Sequence, residues 1–567
     1  MFFGNVQLVG KEVNKMICKA QILNLKDKVV TFEDSIRIED ILKEVKDELP
    51  YPIYLSKLDN AYRALTHITE HDCQIEFLDL RNQEAWVVYQ NSLILIFIKA
   101  VHDVLGKKVL ITVNNSLNKG LYITSPHKFS QEDIENVKAR MNEIIKADLP
   151  IVKEHRTKEA AGILAKKQKL VEASKLLDSI TNIDDIQIYS LEDEVQIFYD
   201  LLVPSTGYVQ LYDLVAYRNG LVLRYPHPNS PLELPPYEEQ EMLYNAFSEA
   251  TKWGQLMNVN FVCDLNERII FDRVEDMVLM QEALHEKRIS NIADMISEKK
   301  ARVVLICGPS SSGKTTFAKR LCIQLQVNGF KTLYMGTDDY YKEYDERVYD
   351  ENGEVDLETI RAIDTALFTR QIGELLEGKE VDLPKYDFSI PGKVFGQRMT
   401  KIDKNTIVVI EGIHAMNDEM TYTIPDEDKF KIYISPFTPI SIDHHNRIST
   451  TDARLIRRMV RDNKFRSSPA QRTISMWPKV RMSEEVNIFP YNAKADVFFN
   501  SNCIYEFAVL KKYTEPLLKR IQRSEPEYGE AQRLLSFFKY FDPIYDDSII
   551  PNNSIIREFI GGSVIVK

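Results

Sequence analysis

The chain has 567 residues, 44% of them apolar and 28% charged, with a formal net charge of −12. That length exceeds what one hydrophobic core organises and predicts three or four domains of ordinary soluble globular composition. The acidic balance argues against general nucleic-acid binding, although a local basic groove stays open.

The N-terminus, MFFGNVQLVGKEVNK, has neither the basic start nor the small-residue cleavage site of a signal peptide. From there, "KMICKAQIL" and "KVVTF" have strand character. "SIRIEDILKEVKDEL" spaces Ile38, Ile41, Leu42 and Val45 as a helix does. "YPIYLS" and "CQIEFLDL" add two β-rich runs and complete a small α+β unit over residues 1–80. "SLILIFIKAV", Ser92 to Val101, is about half the ~20 residues a membrane span needs and predicts a buried helix or strand. Ser130, ahead of acidic residues in "FSQEDIENVKARMNEIIKADLP", is a candidate N-cap in a second mixed region, residues 81–225. Five prolines in "YPHPNSPLELPPYEEQ" mark a linker, and residues 226–300 as a whole predict linker plus helical connector. There Ile289, Ile292, Ala293 and Ile296 form one apolar stripe.

From Ala301 the pattern becomes strand, loop, helix, strand. "RVVLICG", "KTLYMG", "NTIVVIEG", "FKIYIS" and "ADVFFN" are short apolar runs of the kind a sheet buries on both faces. Helical patterns between most of them predict right-handed βαβ units over residues 301–567. The six cysteines are scattered and form no C-x-x-C pair, which points to a reducing compartment without disulfides or a thiolate metal site. The expectation is a cytoplasmic protein that does not enter a membrane.

"GPSSSGKTT", Gly308, Pro309, Ser310, Ser311, Ser312, Gly313, Lys314, Thr315 and Thr316, fits G-x-x-x-x-G-K-[ST] between a predicted strand and a predicted helix. Glycines let the backbone bend around an anion, loop amides and the helix N-terminus supply partial positive charge, and Lys314 adds a full one. Thr315 can offer its hydroxyl to Mg²⁺. The next strand ends in "MGTDDYYKEY" and delivers Asp338 and Asp339 to the ligand side of a parallel sheet, where a carboxylate can take a proton from an attacking hydroxyl or hold the metal. Arg454, Arg457, Arg458 and Arg461 recur at i, i+3, i+4 and i+7, predicting one cationic helix face, either solvated or clamped on phosphates.

"GPSSSGKTT", "DDYY", "LPKYDF", "VVIEGIHA" and "ARLIRRMVRD" occur in the order of the uridine kinase and phosphoribulokinase branch of P-loop enzymes, which residues 302–567 resemble. The resemblance implies an ATP- and Mg²⁺-dependent kinase for a sugar hydroxyl, with the 5′-hydroxyl of uridine or cytidine the leading acceptor. It implies Asp338 as the catalytic carboxylate beside Lys314, with Tyr341, Glu358, Tyr386 and Arg458 at the acceptor. It also implies Thr315 and Glu411 at the metal, and Arg458, Arg461 and Arg466 with the loop at ATP. Two departures bear on the acceptor: "RSS" (Arg466, Ser467, Ser468) replaces the family's Arg-Gly, and Pro391 of "SIPGK" replaces a histidine near the base. Another nucleoside, a sugar phosphate, or a nucleotide-dependent RNA-binding role stay open.

Residues 1–80 resemble a TGS domain, and residues 81–225 resemble the editing-type second domain of threonyl-tRNA synthetase through "FSQEDIENVKARMNEIIKADLPI" and "VPSTGYVQLYDLVAY". That domain's His-x-x-x-His pair and later Cys and His are replaced by Tyr89, Leu93, Phe198 and Leu202, which cannot ligate metal or move a proton at neutral pH. His102 is expected to be a partly buried helix residue. The front half is expected to bind RNA or a regulator, or to pack on the kinase. A homo-oligomer stays open. The expected architecture is α/β multidomain: a P-loop NTPase parallel sheet with helices on both faces, behind a small β-grasp domain and a mixed α+β domain.

Overall fold

The computed structural model describes residues 16–180, 183–271, 273–349, 353, 355–387 and 392–566. At the front, a five-stranded mixed sheet runs in the order Val29–Glu33, Ile17–Ile22, Cys73–Asp79, Ile53–Leu58 and Ala61–Arg63. The helix Ile38–Val45 lays Ile38, Ile41, Leu42 and Val45 on it, as their spacing predicts, giving the β-grasp arrangement.

Next comes α1 (Gln83–Leu105), capped by Asn82, whose side-chain oxygen accepts from the Glu84 and Ala85 amides. The apolar run predicted to be short is one part of this 23-residue helix, which is long and apolar enough by composition to cross a membrane. Protein covers it instead. Leu93 through Ile98 are all buried between a four-stranded sheet, a three-stranded sheet and the helix Gln131–Lys146. A helix apolar all round belongs in such a core. Ser130 caps Gln131–Lys146 in a reciprocal capping box with Asp133.

The proline-rich stretch contains no helix or strand, yet it is no free tether. The Trp86 indole donates to the Pro226 carbonyl at 2.8 Å and packs against the rings of Tyr225 and His227. Asn118 and Gln240 exchange two hydrogen bonds, at 3.0 and 2.8 Å. Proline forbids helix and central strand but leaves carbonyls and ring faces able to dock. Beyond it, α2 (Val274–Lys299) buries the predicted Ile289, Ile292, Ala293 and Ile296 stripe.

The C-terminal sheet has five strands, β1 (Val303–Cys307), β2 (Lys331–Gly336), β3 (Thr406–Glu411), β4 (Lys429–Ser435) and β5 (Val497–Asn500). All neighbours are parallel, in the order β2-β3-β1-β4-β5. The helix α3 (Lys314–Val327) follows β1 and is closed by Gly329 at φ +89°. On the far side of the site lie α4 (Thr450–Arg466) and α5 (Ala470–Asn487). Then α6 (Tyr528–Phe538) and the short α7 (Arg557–Ile560) complete the chain's helices at this end.

Front and back halves are in contact. The Val113 amide donates to the His444 carbonyl at 2.8 Å, and Asn446 Nδ2 to the Ile197 carbonyl at 3.0 Å. Gly529 on α6 meets the Asn60 carbonyl and the Tyr62 ring so closely that a Cβ there would lie 2.9 Å from the former. Ala161, Leu176 and Ile186 of the second region share one apolar cluster with Val304 and Phe317 beside the C-terminal sheet.

Candidate active site

The loop between β1 and α3 is shaped by close backbone approach. A Cβ on Gly308 would stand 2.1 Å from the Ile434 carbonyl oxygen, and Gly313 holds φ +85° against Ile555. Ser311 also takes the left-handed region, at φ +61°. Ser311, Ser312 and Thr316 are buried, and the Lys314 ammonium donates to the carbonyls of Gly308 and Pro309 at 3.0 and 3.1 Å.

Parallel pairing puts Glu411 at the end of β3, level with Gly336 at the end of β2. Thr315 Oγ1 and the Tyr334 hydroxyl both donate to Glu411 Oε1 at 2.9 Å. Thr315 and Glu411, expected at the metal from separate motifs, thus touch. Burial raises the Glu411 carboxyl's pKa; Lys314 opposes this and Asp338 adds to it. Two hard oxygen donors of which one is a carboxylate suit Mg²⁺.

The turn after β2, Thr337–Tyr340, carries the two aspartates apart. Asp339 is structural: it pairs with Arg398 at 2.7 Å and accepts from the Tyr386 amide at 3.3 Å. The Asp338 side chain is exposed. Although accessible, it is walled by protein, and this desolvation raises its pKa; Lys314 and Arg466 pull it down, while Glu358 and Asp339 push it up. Glu358 is likewise raised by burial against the pull of Arg458, which approaches it at 3.6 Å. Tyr341 feels the charges of both Asp338 and Glu358, and its ring meets that of Tyr386 edge-on at 5.6 Å. Lys314, Asp338, Tyr341, Glu358 and Tyr386 therefore form one cluster.

The four helix arginines neither form a solvated face nor all point at phosphate. Arg454 is 2% and Arg457 0% exposed. Arg454 forms a forked pair with Glu484 of α5, with one arm at 2.8 Å, and reaches the Ser310 carbonyl at 3.4 Å. Arg457 pairs with Glu506 and reaches the Ser311 carbonyl at 3.5 Å. Helical spacing places arginines on one face but cannot reveal the carboxylates that the rest of the chain brings to it; here that face grips the loop from behind. Arg458 remains at the site, donating to Ser310 Oγ at 3.1 Å. Arg461 is half-buried, 3.6 Å from Asp462, and Arg466 bonds Asp462 at 3.2 Å. Ser467, where the family has glycine, caps α4 at φ +50°, a conformation that favours glycine. Pro391 lies outside the described residues.

Three residues given no role from the sequence complete the surroundings. Glu484, already met on Arg454, also accepts from the Ser310 amide at 3.3 Å. Glu558 of α7 accepts from the Thr316 amide at 3.2 Å and from its hydroxyl at 2.7 Å. His414, inside "VVIEGIHA", is 1% exposed; burial, with Lys314 adding, lowers its pKa to about 4, so the imidazole is neutral at pH 7.

In the second region, Tyr89, Leu93, Phe198 and Leu202 all lie in the apolar core, with the Tyr89 hydroxyl donating to the Leu211 carbonyl at 2.7 Å. His102 sits part-buried on α1, bonded to Glu194 at 2.8 Å and to the Val109 carbonyl at 3.2 Å. All six cysteines are buried and free. Cys503 stands with Glu282 and His285, their ligand atoms within 4.8 Å of one another. There the Glu282 carboxylate is answered by Arg320 at 3.5 Å and by the Tyr505 and Ser554 hydroxyls.

A parallel β2-β3-β1-β4-β5 sheet with a glycine-bent anion loop after its central strand defines a P-loop kinase fold. Residues 303–504 match the sequence profile of the Phosphoribulokinase / Uridine kinase family. The uridine kinase of Staphylococcus epidermidis is 27% identical over 196 residues, 34% of this chain and 85% of that protein. That of Ligilactobacillus salivarius is 26% identical over 180 residues, 32% and 75% of the two chains. The front region is similar to threonine–tRNA ligase, so the chain joins a region similar to that ligase to one similar to the kinases. The ligase of Syntrophotalea carbinolica is 28% identical over 206 residues, 34% of this chain but only 31% of the ligase. A solved structure from Bacillus stearothermophilus, described as a possible uridine kinase, aligns with 38% of this chain and 98% of its own at 20% identity and TM-score 0.26.

Proposed function

We propose that the chain is an ATP-dependent kinase that transfers the γ-phosphoryl group to the 5′-hydroxyl of a nucleoside resembling uridine or cytidine. The observation that carries this reading is the position of Asp338: exposed, within the field of Lys314, and beside the Tyr341, Glu358 and Tyr386 cluster. In the reaction, the acceptor oxygen attacks the γ-phosphorus, the bond from that phosphorus to the β–γ bridging oxygen breaks, and ADP leaves. Asp338 takes the hydroxyl proton. Lys314 and the loop amides hold the phosphates, and Arg458 faces the transferring group from α4. Positioning and charge stabilisation supply most of the acceleration in such reactions. Thr315 and Glu411 would hold Mg²⁺, which when bound neutralises phosphate charge. Glu358 is placed to accept from sugar hydroxyls, and the Tyr341 and Tyr386 rings flank the base.

ADP release measured with purified protein against a panel of nucleosides, sugar phosphates and structured RNA tests the reading. Stimulation by a pyrimidine nucleoside is the expected result. Stimulation only by a sugar phosphate would move the acceptor, and stimulation only by RNA would replace the kinase reading with a nucleotide-dependent RNA-binding role.

A further inference from the structure

A second cavity, of about 1170 Å³, lies away from the phosphate loop, between the front sheet, the second region and the kinase. Its volume is somewhat above the roughly 300–1,000 Å³ usual for small-molecule sites, which favour such junctions. Arg63, His67 and Lys153 line one part of it. Among the described residues none of the three forms an ion pair, and the Arg63 guanidinium donates to the Tyr62 carbonyl at 2.9 Å. They act on one another instead: burial lowers the His67 pKa, and Arg63 and Lys153 lower it further. Burial also lowers Lys153 and Arg63; Asp185 opposes this at Lys153 while Arg63 adds to it, and Arg523 adds to it at Arg63 against Tyr528 and Asp59.

The carboxylates nearest these cations are engaged elsewhere. Glu39 accepts from the Tyr208 hydroxyl at 3.0 Å, and Asp148 from the Gly207 amide at 2.9 Å. Asp185 is bonded to His155 at 2.6 Å, and Asp59 accepts from the Gln74 amide at 2.9 Å. Elsewhere the same cavity has the opposite character. There Arg533 of α6 is shared by Glu84 at 3.1 Å and Asp452 at 2.8 Å, and from behind the lining by Glu530 at 2.6 Å; Asp200 adds a further acid and Arg447 a second guanidinium. Two part-buried cations without ion-pair partners, Arg63 and Lys153, gain from an anion, because a charge removed from water is costly unless paired, and the neutral His67 imidazole can donate one hydrogen bond to it. Surplus carboxylates call for hydroxyl or amino donors.

We propose that this cavity binds a small phosphorylated ligand bearing hydroxyl or amino groups, its phosphate held by Arg63, His67 and Lys153 and its donors turned to the carboxylates around Arg533. Asp452 stands in the first turn of α4, so the ligand would lie beside the helix whose arginines hold the phosphate loop.

The test uses the full chain carrying Lys314→Ala, which weakens phosphate binding at the loop, with inorganic phosphate and ribose 5-phosphate as probes in calorimetry at low ionic strength. One site per chain is expected, tighter for ribose 5-phosphate. Adding Arg63→Gln and Lys153→Gln should weaken both probes at least tenfold, while Arg63→Lys with Lys153→Arg should retain them. Lys166→Gln with Lys167→Gln, on an outlying helix, should change nothing. If the glutamine pair does not fold, either glutamine substitution alone should still weaken both probes severalfold. Absence of binding to the Lys314→Ala chain overturns the proposal, as does affinity indifferent to the glutamine substitutions or reduced equally by the outlying pair. Equal affinity for the two probes overturns the donor half of it.

Discussion

Asp338→Asn separates chemistry from binding. The substitution keeps the shape of the side chain and removes its charge and its ability to hold a proton. Loss of a positioned general base typically costs 10²–10⁴-fold in rate, or ~2.7–5.4 kcal/mol at about 1.36 kcal/mol per decade. Binding should move the other way. Asp338, Glu358 and Glu411 surround one ammonium, Lys314, and all three carboxyls have raised pKa values. A like charge ~8 Å from a phosphate is worth roughly 2 kcal/mol of repulsion at an effective dielectric near 20. Removing one should leave ATP affinity unchanged or improve it severalfold. The assay pairs steady-state ADP release with nucleotide titration by calorimetry. The pH profile adds a second reading: Asp338 must be ionised to accept a proton, and burial raises its pKa. The acid limb of kcat/KM should therefore lie above the pH of an ordinary aspartate and vanish in the variant. Turnover within tenfold of the parent, or nucleotide affinity lost together with turnover, would refute the reasoning.

Glu484→Gln breaks a buried forked pair and should cost about 3–5 kcal/mol of stability, seen as a lower urea midpoint, together with a higher KM for ATP because Ser310 is held by the same pair. Burial raises the Glu484 carboxyl, but Arg454 and Arg481 more than offset it and hold its pKa low. Its contribution is thus present above the ordinary glutamate pKa and lost as pH falls through the depressed one, so the deficit of the variant should shrink in acid. Ser467→Gly relieves φ +50° at the end of α4 and should stabilise the fold by about 0.5–1 kcal/mol, measured by denaturation; a loss would show that the serine side chain supports the cap. Glu558→Gln weakens an anion's hold on the Thr316 amide, one of the donors a nucleotide phosphate uses. ADP affinity should rise about tenfold, the effect of one charge-assisted bond of ~1.5 kcal/mol, whereas a fall would mean the carboxylate assists nucleotide binding.

The sheet strands were legible because burial on both faces leaves uninterrupted apolar runs such as Val303–Cys307. The loop was legible because glycine and lysine stand at fixed intervals around an anion. Asp338 and Glu411 were legible because parallel strands end on one side, and the pull of Lys314 on the first and the Thr315 hydrogen bond to the second follow from that geometry. The arginine face was misread because pairing partners come from distant chain, Glu484 thirty residues on and Glu506 forty-nine. Glu558 could not be found at all: it acts from 242 residues beyond Thr316, and no short-range spacing carries such a contact. The proline stretch was read for what it forbids, while its docking depends on Trp86, more than a hundred positions earlier.

The apolar cluster that joins Ala161, Leu176 and Ile186 to Val304 and Phe317 ties the two halves into one cooperative structure. A random mutagenesis screen scored only for lost phosphorylation should therefore return lesions well upstream of the catalytic region. Such alleles would be recognised by temperature sensitivity with intact substrate preference, and they would mark the seam rather than the chemistry.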